Sequence, residues 1–319
     1  MQASAIAHPN VALIKYWGKR DTGSNLPATG SLSLTLAGIE TLTRVEFASE
    51  SGTDQLTVNG QPDSRAAARV SHCLDQLRAL AGAGGSATVD SENNFPTGAG
   101  LASSASGYAA LVAAAAAALG IDGHEQELTN IARQGSGSAP RSLYDGIVLL
   151  ENQDTGVRCR SVCAPDEWPL SVVVAVTSHA AKAVGSTEGM ERSRMTSPYY
   201  GAWVNSHAAD LQTALNCVEQ RDFAQLAELS EHSCLKMHAL ALSSRPPLMY
   251  WNAATVAAMQ VVTELRASGT PVFFTVDAGP QVKAVCEPDA VPAVREALQN
   301  VPGVIELIEC TLGRGARPV

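Results

Sequence analysis

Four short stretches of this 319-residue chain hold side chains that could do chemistry. The first, "HPNVALIKYWGKRD" (His8–Asp21), sets Lys15 and Lys19 four residues apart with Tyr16, Trp17 and Gly18 between them. On a helix those ammonium groups share one face; in an extended or looped segment they can still converge on one anion. The second, "FPTGAGLASSASG", runs from Phe95 through Gly98 and Gly100 to Ser103, Ser104 and Ser106, followed by an alanine run. Alanine is the best helix former, so the serines fall where a helix begins. A helix N-terminus offers unpaired N–H groups and partial positive charge, and glycines let an anion approach the backbone. The third, "GSGSAPRS" (Gly135–Ser142), combines Ser136, Gly137 and Ser138 with Arg141. Arginine grips a carboxylate or phosphate through two parallel hydrogen bonds, which lysine cannot reproduce. The fourth, "FFTVDAGP" (Phe273–Pro280), ends an apolar strand on Asp277, where a carboxylate suits a base or an orienting group.

Each stretch also has an ordinary structural use: an edge strand with solvated lysines, a serine-capped turn, a polar loop with a surface arginine, an aspartate capping a turn. The glycine loop lacks the GxxxxGK(S/T) spacing, and no lysine follows it. Together, two anion-type loops, a lysine pair and a strand-end carboxylate point to phosphoryl chemistry, in which positioning and charge neutralisation do most of the work.

The elements that must position these groups read as follows. Strands are expected at Ser31–Leu36 and Thr43–Ala48, with an Asn-Gly turn in "VNGQ", and a helix over Ala66–Leu80, where Val70, Cys73, Leu74, Leu77 and Leu80 keep helical spacing. "SATVDSE" reads as a strand, "HEQELTNIARQ" as a short helix, and "GSGSAPRSLYDG" as too rich in glycine, serine and proline for regular structure. "GIVLLE" and "PLSVVVAVTS" are buried-type strands, Ser186–Arg266 is largely helical with Leu248–Leu265 clearest, and one helix and a last strand, "GVIELIE", follow Asp277. This order implies an α+β chain of two lobes, 1–170 and 171–319, with the join near 165–185.

A hydrophobic fraction of 45% and a charged fraction of 17% are those of an ordinary globular protein. The net charge of −9 disfavours a general nucleic-acid or anionic-membrane binder but leaves room for a locally basic pocket. The longest apolar runs, near Ala109–Leu119 and Leu170–Val176, fall short of the roughly twenty residues of a membrane span. The N-terminus lacks a basic region followed by an apolar core, so no secretory signal is expected. Seven scattered cysteines without a CxxC pair fit reduced thiols and a cytoplasmic location. His232 and His238 lack the HExxH spacing of a zinc site.

"NVALIKYWGKRD", "NLPATGSLSLTL", "SENNFPTGAGLASSASGYAAL", "GSGSAPRSLYDG", "STEGMERSRMTSPYY", "MHALALSSRPPLMYWN" and "FTVDAGP", in that order, resemble the diphosphomevalonate decarboxylases. These belong to the galactokinase, homoserine kinase, mevalonate kinase and phosphomevalonate kinase superfamily. The resemblance implies a two-lobed small-molecule kinase fold: a ribosomal protein S5 domain 2-like N-terminal lobe, a ferredoxin-like C-terminal lobe, and the active site between them. It implies phosphorylation of the 3-hydroxyl of mevalonate 5-diphosphate by ATP with magnesium, then loss of phosphate and carbon dioxide to give isopentenyl diphosphate, by a homodimer. On this resemblance Asp277 is the catalytic aspartate and Lys15 the lysine near the transferred phosphoryl group. Arg141, helped by Asn10, holds the substrate carboxylate. Tyr16, Trp17, Gly18, Lys19, Ser136, Gly137, Ser138, Ser186 and Thr187 match substrate-binding positions, as does Arg69 in "RVSHCL", whose helix is less alike. Gly100, Leu101, Ala102, Ser103, Ser104, Ala105 and Ser106 match the ATP loop. Asp145 stands where the family usually has glycine, which would add negative charge near an anion site. Two other readings remain: a decarboxylase or 3-kinase acting on mevalonate 5-phosphate or mevalonate, and a catalytically silent binding protein on the same fold.

Overall fold

The computed structural model describes residues 1–50, 52–96 and 100–319, so residues 97–99 of the glycine loop, Gly98 included, lie outside the described residues. In chain order the strands are β1 (Gln2–Ala7), β2 (Asn10–Ile14), β3 (Lys19–Asp21), β4 (Leu26–Pro27), β5 (Ser31–Ala37), β6 (Thr41–Phe47), β7 (Gln55–Val58) and β8 (Gln61–Pro62). Helix α1 (Ser64–Ala81), β9 (Ala87–Asn93), α2 (Ser103–Leu119) and α3 (Glu125–Gly135) follow, then β10 (Ile147–Asn152), β11 (Val157–Cys163) and β12 (Ser171–Val176). The remainder is α4 (Ser186–Thr196), α5 (Tyr200–Gln220), α6 (Phe223–Leu242), α7 (Ala253–Ala267), β13 (Val272–Val276), β14 (Val282–Cys286), α8 (Val291–Gln299), β15 (Glu306–Leu312) and β16 (Arg317–Pro318).

The chain is α+β with two lobes. One sheet runs β16-β1-β6-β9-β7-β8, and the alanine-rich α2 lies across β1 and β6. Its alanines Ala105, Ala109, Ala110, Ala114 and Ala115 are fully buried, which lets the helix approach the sheet closely. The second sheet runs β11-β10-β5-β15-β12-β14-β13, with β2 also on β5. Strand β15 stitches the halves together: it pairs with β12 on one side and, through Thr311 and Leu312, with β5 on the other. The last strand returns to the first sheet, where Arg317 and Pro318 pair with Ile6 and Ala5.

Three expectations need correction. Leu248–Leu265 is helical only from Ala253, because two prolines precede it and a capping box between Asn252 and Thr255 fixes the start. The segment after Asp277 contains a further strand, β14, before its helix. The Arg141 loop is partly regular: a 3-10 turn spans Ala139–Leu143. The lysine pair is not on a helix, since Lys15 follows β2 and Lys19 opens β3.

Candidate active site

Lys15 owes its direction to a register shift between Ala12 and Ile14 where β2 pairs with β5, an irregularity that re-aims the following chain. Its backbone N–H donates to Ser233 Oγ of α6 at 2.9 Å, and the side chain is almost fully buried. Asp277 is fixed by the same helix. The N–H of Val276 donates to Cys234 Sγ at 3.2 Å, and its carbonyl lies 3.1 Å from His238 Nε2. Burial pushes the His238 imidazole down to about 3, so it stays neutral and donates to that carbonyl. His238 is therefore a structural donor beneath the site; His232 lies on the same helix.

Lys15 Nζ lies 2.6 Å from Asp277 Oδ1, and Lys283 Nζ lies 3.3 Å from Oδ2. Burial alone would raise the Asp277 carboxyl, but the two ammonium groups outweigh it and hold the group well below the usual carboxylate range. The Asp277 side chain remains 26% exposed, at one wall of a cleft of about 690 Å³. Lys15, Lys19, Arg69, Arg141 and Lys182 line this cleft, against a single carboxylate, Asp277, among the described residues. A chain of net charge −9 thus carries a concentrated basic cavity.

Arg141 is buried, its Nε donating to Asn10 Oδ1 and its Nη1 to Ser31 Oγ, each at 3.0 Å. Asn10 Nδ2 donates in turn to Ser142 Oγ at 2.7 Å and to the Ser138 carbonyl at 3.1 Å. The guanidinium lies 5.7 Å from the centre of the Tyr16 ring. Gly137 makes room for that ring, since a Cβ there would stand 2.4 Å from Tyr16 Oη. Ser104, Ser136 and Ser138 form a string of hydroxyls, 3.3 and 3.2 Å apart, joining the start of α2 to the Arg141 turn. Across the cleft Lys19 Nζ donates to Thr187 Oγ1 at 3.3 Å, and Lys182 Nζ donates to Ser186 Oγ at 2.8 Å and to the Ala278 carbonyl at 3.1 Å. Burial, and then neighbouring Arg69, lowers Lys19; burial also lowers Lys182, against the pull of Asp277.

Asn10, Lys15, Tyr16, Trp17, Lys19, Arg69, Gly100, Ala102, Ser103, Ser104, Ser136, Gly137, Ser138, Arg141, Ser186, Thr187 and Asp277 all border this cleft. Leu101, Ala105 and Ser106 point elsewhere. Leu101 packs into the core with Val176 and Phe273, Ala105 is fully buried, and Ser106 Oγ pairs with Thr41 Oγ1 at 2.6 Å. Helix α2 follows Ala102, its N-cap residue, held at φ 56°, and no side chain caps it. Gly18 serves the backbone: its φ is +105°, and a Cβ would stand 2.3 Å from Tyr200 Oη. Trp17 is mainly an anchor, edge-on to Tyr250 at 6.0 Å, with its carbonyl accepting from Trp203 Nε1 at 3.0 Å. Asp145 is exposed and outside the cleft lining; its Oδ1 accepts from the Gly315 N–H at 2.6 Å, so it braces the C-terminal segment and adds no charge to the anion site. Lys182, Lys283 and His72 were not anticipated. Lys182 sits in the irregular "HAAKAVG", whose one sequence signal is a lysine four residues before Ser186.

A two-lobed α+β fold with a basic cleft, a helix N-terminus on one wall and a lysine-flanked aspartate on another defines a small-molecule phosphotransferase type of site. The family model for the diphosphomevalonate decarboxylase-like N-terminal domain matches residues 7–161, and that for the mevalonate 5-diphosphate decarboxylase C-terminal domain matches residues 172–312. The diphosphomevalonate decarboxylase of Gibberella zeae is 37% identical, with 96% of this chain and 87% of that protein covered. The Homo sapiens enzyme is 37% identical over 85% of this chain and 73% of its own length. A mevalonate diphosphate decarboxylase structure from Staphylococcus aureus superposes with a TM-score of 0.92 at 35% identity, covering 100% and 98% of the two chains. A structure described as MDDEF in complex with MVAPP, AMPPCP and magnesium gives 0.91 at 35% identity, covering 100% and 99%. The chain belongs to the diphosphomevalonate decarboxylase family.

Proposed function

We propose that this chain is an ATP-dependent lyase that converts mevalonate 5-diphosphate to isopentenyl diphosphate, ADP, phosphate and carbon dioxide. The observation that carries the reading is the Lys15–Asp277 pair, 2.6 Å apart in a cleft also lined by Arg141 and the start of α2. Membership of the family and the ligands named for the MDDEF complex support the substrate and nucleotide.

A tertiary alcohol is a poor leaving group, so phosphorylation must precede its departure. Asp277, ionised between two lysines, is a weak base; its part is to accept the hydrogen bond of the 3-hydroxyl, aim it at the γ-phosphoryl group and take the proton late. Lys15 balances the charge that grows on the transferring group. Arg141, locked by Asn10 and Ser31, holds the carboxylate in place. When the new phosphate leaves, positive charge at C3 is relieved by loss of the neighbouring carboxylate. Lys19, Arg69 and Thr187 take the diphosphate, while Ser103, Ser104 and Lys182 face the nucleotide phosphates. No group of three or more His, Cys, Asp or Glu side chains placed to hold a metal ion occurs among the described residues, and Asp277 is engaged by lysines. Magnesium accordingly enters as part of the substrate, carried on ATP phosphates and water.

The same reading divides the chain into a nucleotide-binding lobe, 1–170, and a lobe carrying the catalytic aspartate, 171–319, and makes it a cytoplasmic homodimer. Seven cysteines, all buried and free, accord with a reducing compartment, and among the described residues no helix is long and apolar enough to cross a membrane. The test is a product assay with MgATP and, separately, mevalonate, its 5-phosphate and its 5-diphosphate. ADP and carbon dioxide in equal amounts from the diphosphate alone support the reading; ADP without carbon dioxide makes it a kinase.

A further inference from the structure

Lys283 touches no reacting group in the chemistry above beyond its contact with Asp277, yet its side chain is only 3% exposed. It sits in β14, "VKAVC", whose five residues are all buried. An ammonium group surrenders its hydration in such a place and persists only where partners compensate. Its partners belong to both walls of the cleft: Asp277 Oδ2 at 3.3 Å and the carbonyl of Gly100 at 2.9 Å. Gly100 lies three residues before the first residue of α2, and it meets the Asp277 turn backbone to backbone. A Cβ on Gly100, at φ +87°, would stand 3.1 Å from Gly279 Cα. The two oxygens of Asp277 are thus divided, Oδ1 to Lys15 and Oδ2 to Lys283, and the second cation also grips the loop that opens α2.

Resting on the reading of the cleft given above, we propose that Lys283 is a positioning residue that holds the Asp277 carboxylate through Oδ2 and couples its alignment to the seating of the Gly100 loop. A phosphoryl group arriving beside Lys15 competes with Asp277 for that ammonium. Once Lys15 turns to the phosphate, Lys283 is the direct cation left on the carboxylate, and Oδ1 is released to accept the substrate hydroxyl. Seating of the nucleotide loop and alignment of the aspartate become one event. The charged and titratable groups facing Asp277 are Lys15 beyond β2, Lys182 ahead of α4, Arg141, Cys234 and His238 of α6, and Lys283 itself. Of these, only Lys15 and Lys283 are in direct contact with the carboxylate.

The test uses the full chain carrying Lys283→Met or Lys283→Gln. Carbon-13 NMR of labelled aspartate carboxyl groups, without nucleotide or substrate and with Asp277→Asn for assignment, follows the titration of Asp277. The proposal predicts that Asp277 titrates at higher pH in both variants than in the parent. It also predicts that KM for ATP rises about tenfold and kcat falls about 100-fold, the scale expected of a misplaced reacting group. Lys283→Arg, which keeps the charge, recovers part of kcat. An Asp277 titration superimposable on the parent's in the folded neutral variants overturns the proposal, as does an unchanged KM for ATP. Should neither neutral variant fold, Lys283→Arg decides: it retains the carboxylate contact and crowds the Gly100 carbonyl. The proposal then requires a raised KM for ATP with an unmoved titration. The NMR arm needs no turnover, so a failed decarboxylation reading shows separately, as a parent protein that releases no carbon dioxide.

Discussion

Replacing Arg141 by glutamine asks whether the buried guanidinium grips the substrate carboxylate. Its Nε and Nη1 are committed to Asn10 and Ser31, and among the described residues no partner is seen for Nη2. That nitrogen is the donor left for the cleft that Arg141 lines. A hydrogen bond to a charged group contributes about 1.5–3 kcal/mol, and about 1.4 kcal/mol is a factor of ten in rate, so losing one such bond lowers kcat/KM roughly 10- to 150-fold. The grip is made both before and during phosphoryl transfer, so the loss falls mainly on KM for mevalonate 5-diphosphate and leaves KM for ATP nearly unchanged. Steady-state ADP release, with each substrate varied in turn, measures this. Arg141→Lys keeps a positive charge but cannot serve Asn10, Ser31 and a carboxylate together, so it shows the same pattern in milder form. Circular dichroism must accompany both variants, because glutamine leaves the buried Asn10 Oδ1 short of a donor. A folded Arg141→Gln protein whose kcat/KM for the diphosphate lies within about threefold of the parent's would refute the argument.

Other outcomes follow from the same geometry. Lys15→Met removes one of the two cations that hold Asp277 down, so the acid limb of the kcat profile moves to higher pH than in the parent. His207 donates from Nε2 to the Gly30 carbonyl at 2.9 Å, and burial pushes its imidazole down to about 4 from 6.5. The unfolded chain therefore binds the proton first, and stability falls as pH drops from about 6.5 to about 4; a His207→Gln variant shows a shallower fall of Tm over that window. Gly137→Ala drives a methyl group to 2.4 Å from Tyr16 Oη and costs about 1–3 kcal/mol by denaturant titration, with a raised KM for the diphosphate because the Tyr16–Arg141 stack shifts. An unaltered Tm and KM in that variant would remove Gly137 from the site.

The cleft residues legible in the sequence were those whose neighbours carried a local signal. Asp277 closes an apolar strand, Ser103 and Ser104 precede an alanine helix, and Arg141 follows a Gly-Ser turn. Lys283 was hidden because β14 is five residues long and directly follows the Asp277 turn, so its stretch read as part of the run into α8. Lys182 was hidden because nothing periodic surrounds it; only the folded chain brings it to the Ala278 carbonyl. Ser106 misled for the opposite reason. It shares the serine cluster, but it lies three residues past Ser103 and turns its hydroxyl to Thr41 in the sheet. The Leu248 boundary misled because apolar spacing continued through Met249 and Tyr250, whereas Asn252 and Thr255 supply the helix start. Spacing reveals which residue types share a segment, and contacts between residues far apart in the chain decide which of them meet.

The central claim is that Asp277 serves the single ATP-dependent step from which decarboxylation follows. The most direct measurement follows ADP and carbon dioxide together in one tube, for the parent and for Asp277→Asn, with mevalonate 5-diphosphate and MgATP. The account predicts one carbon dioxide per ADP in the parent. In the variant both should fall together by about 10²–10⁴-fold, with ATP binding retained. Carbon dioxide released at the parent rate by the variant, or released without ADP, would contradict it.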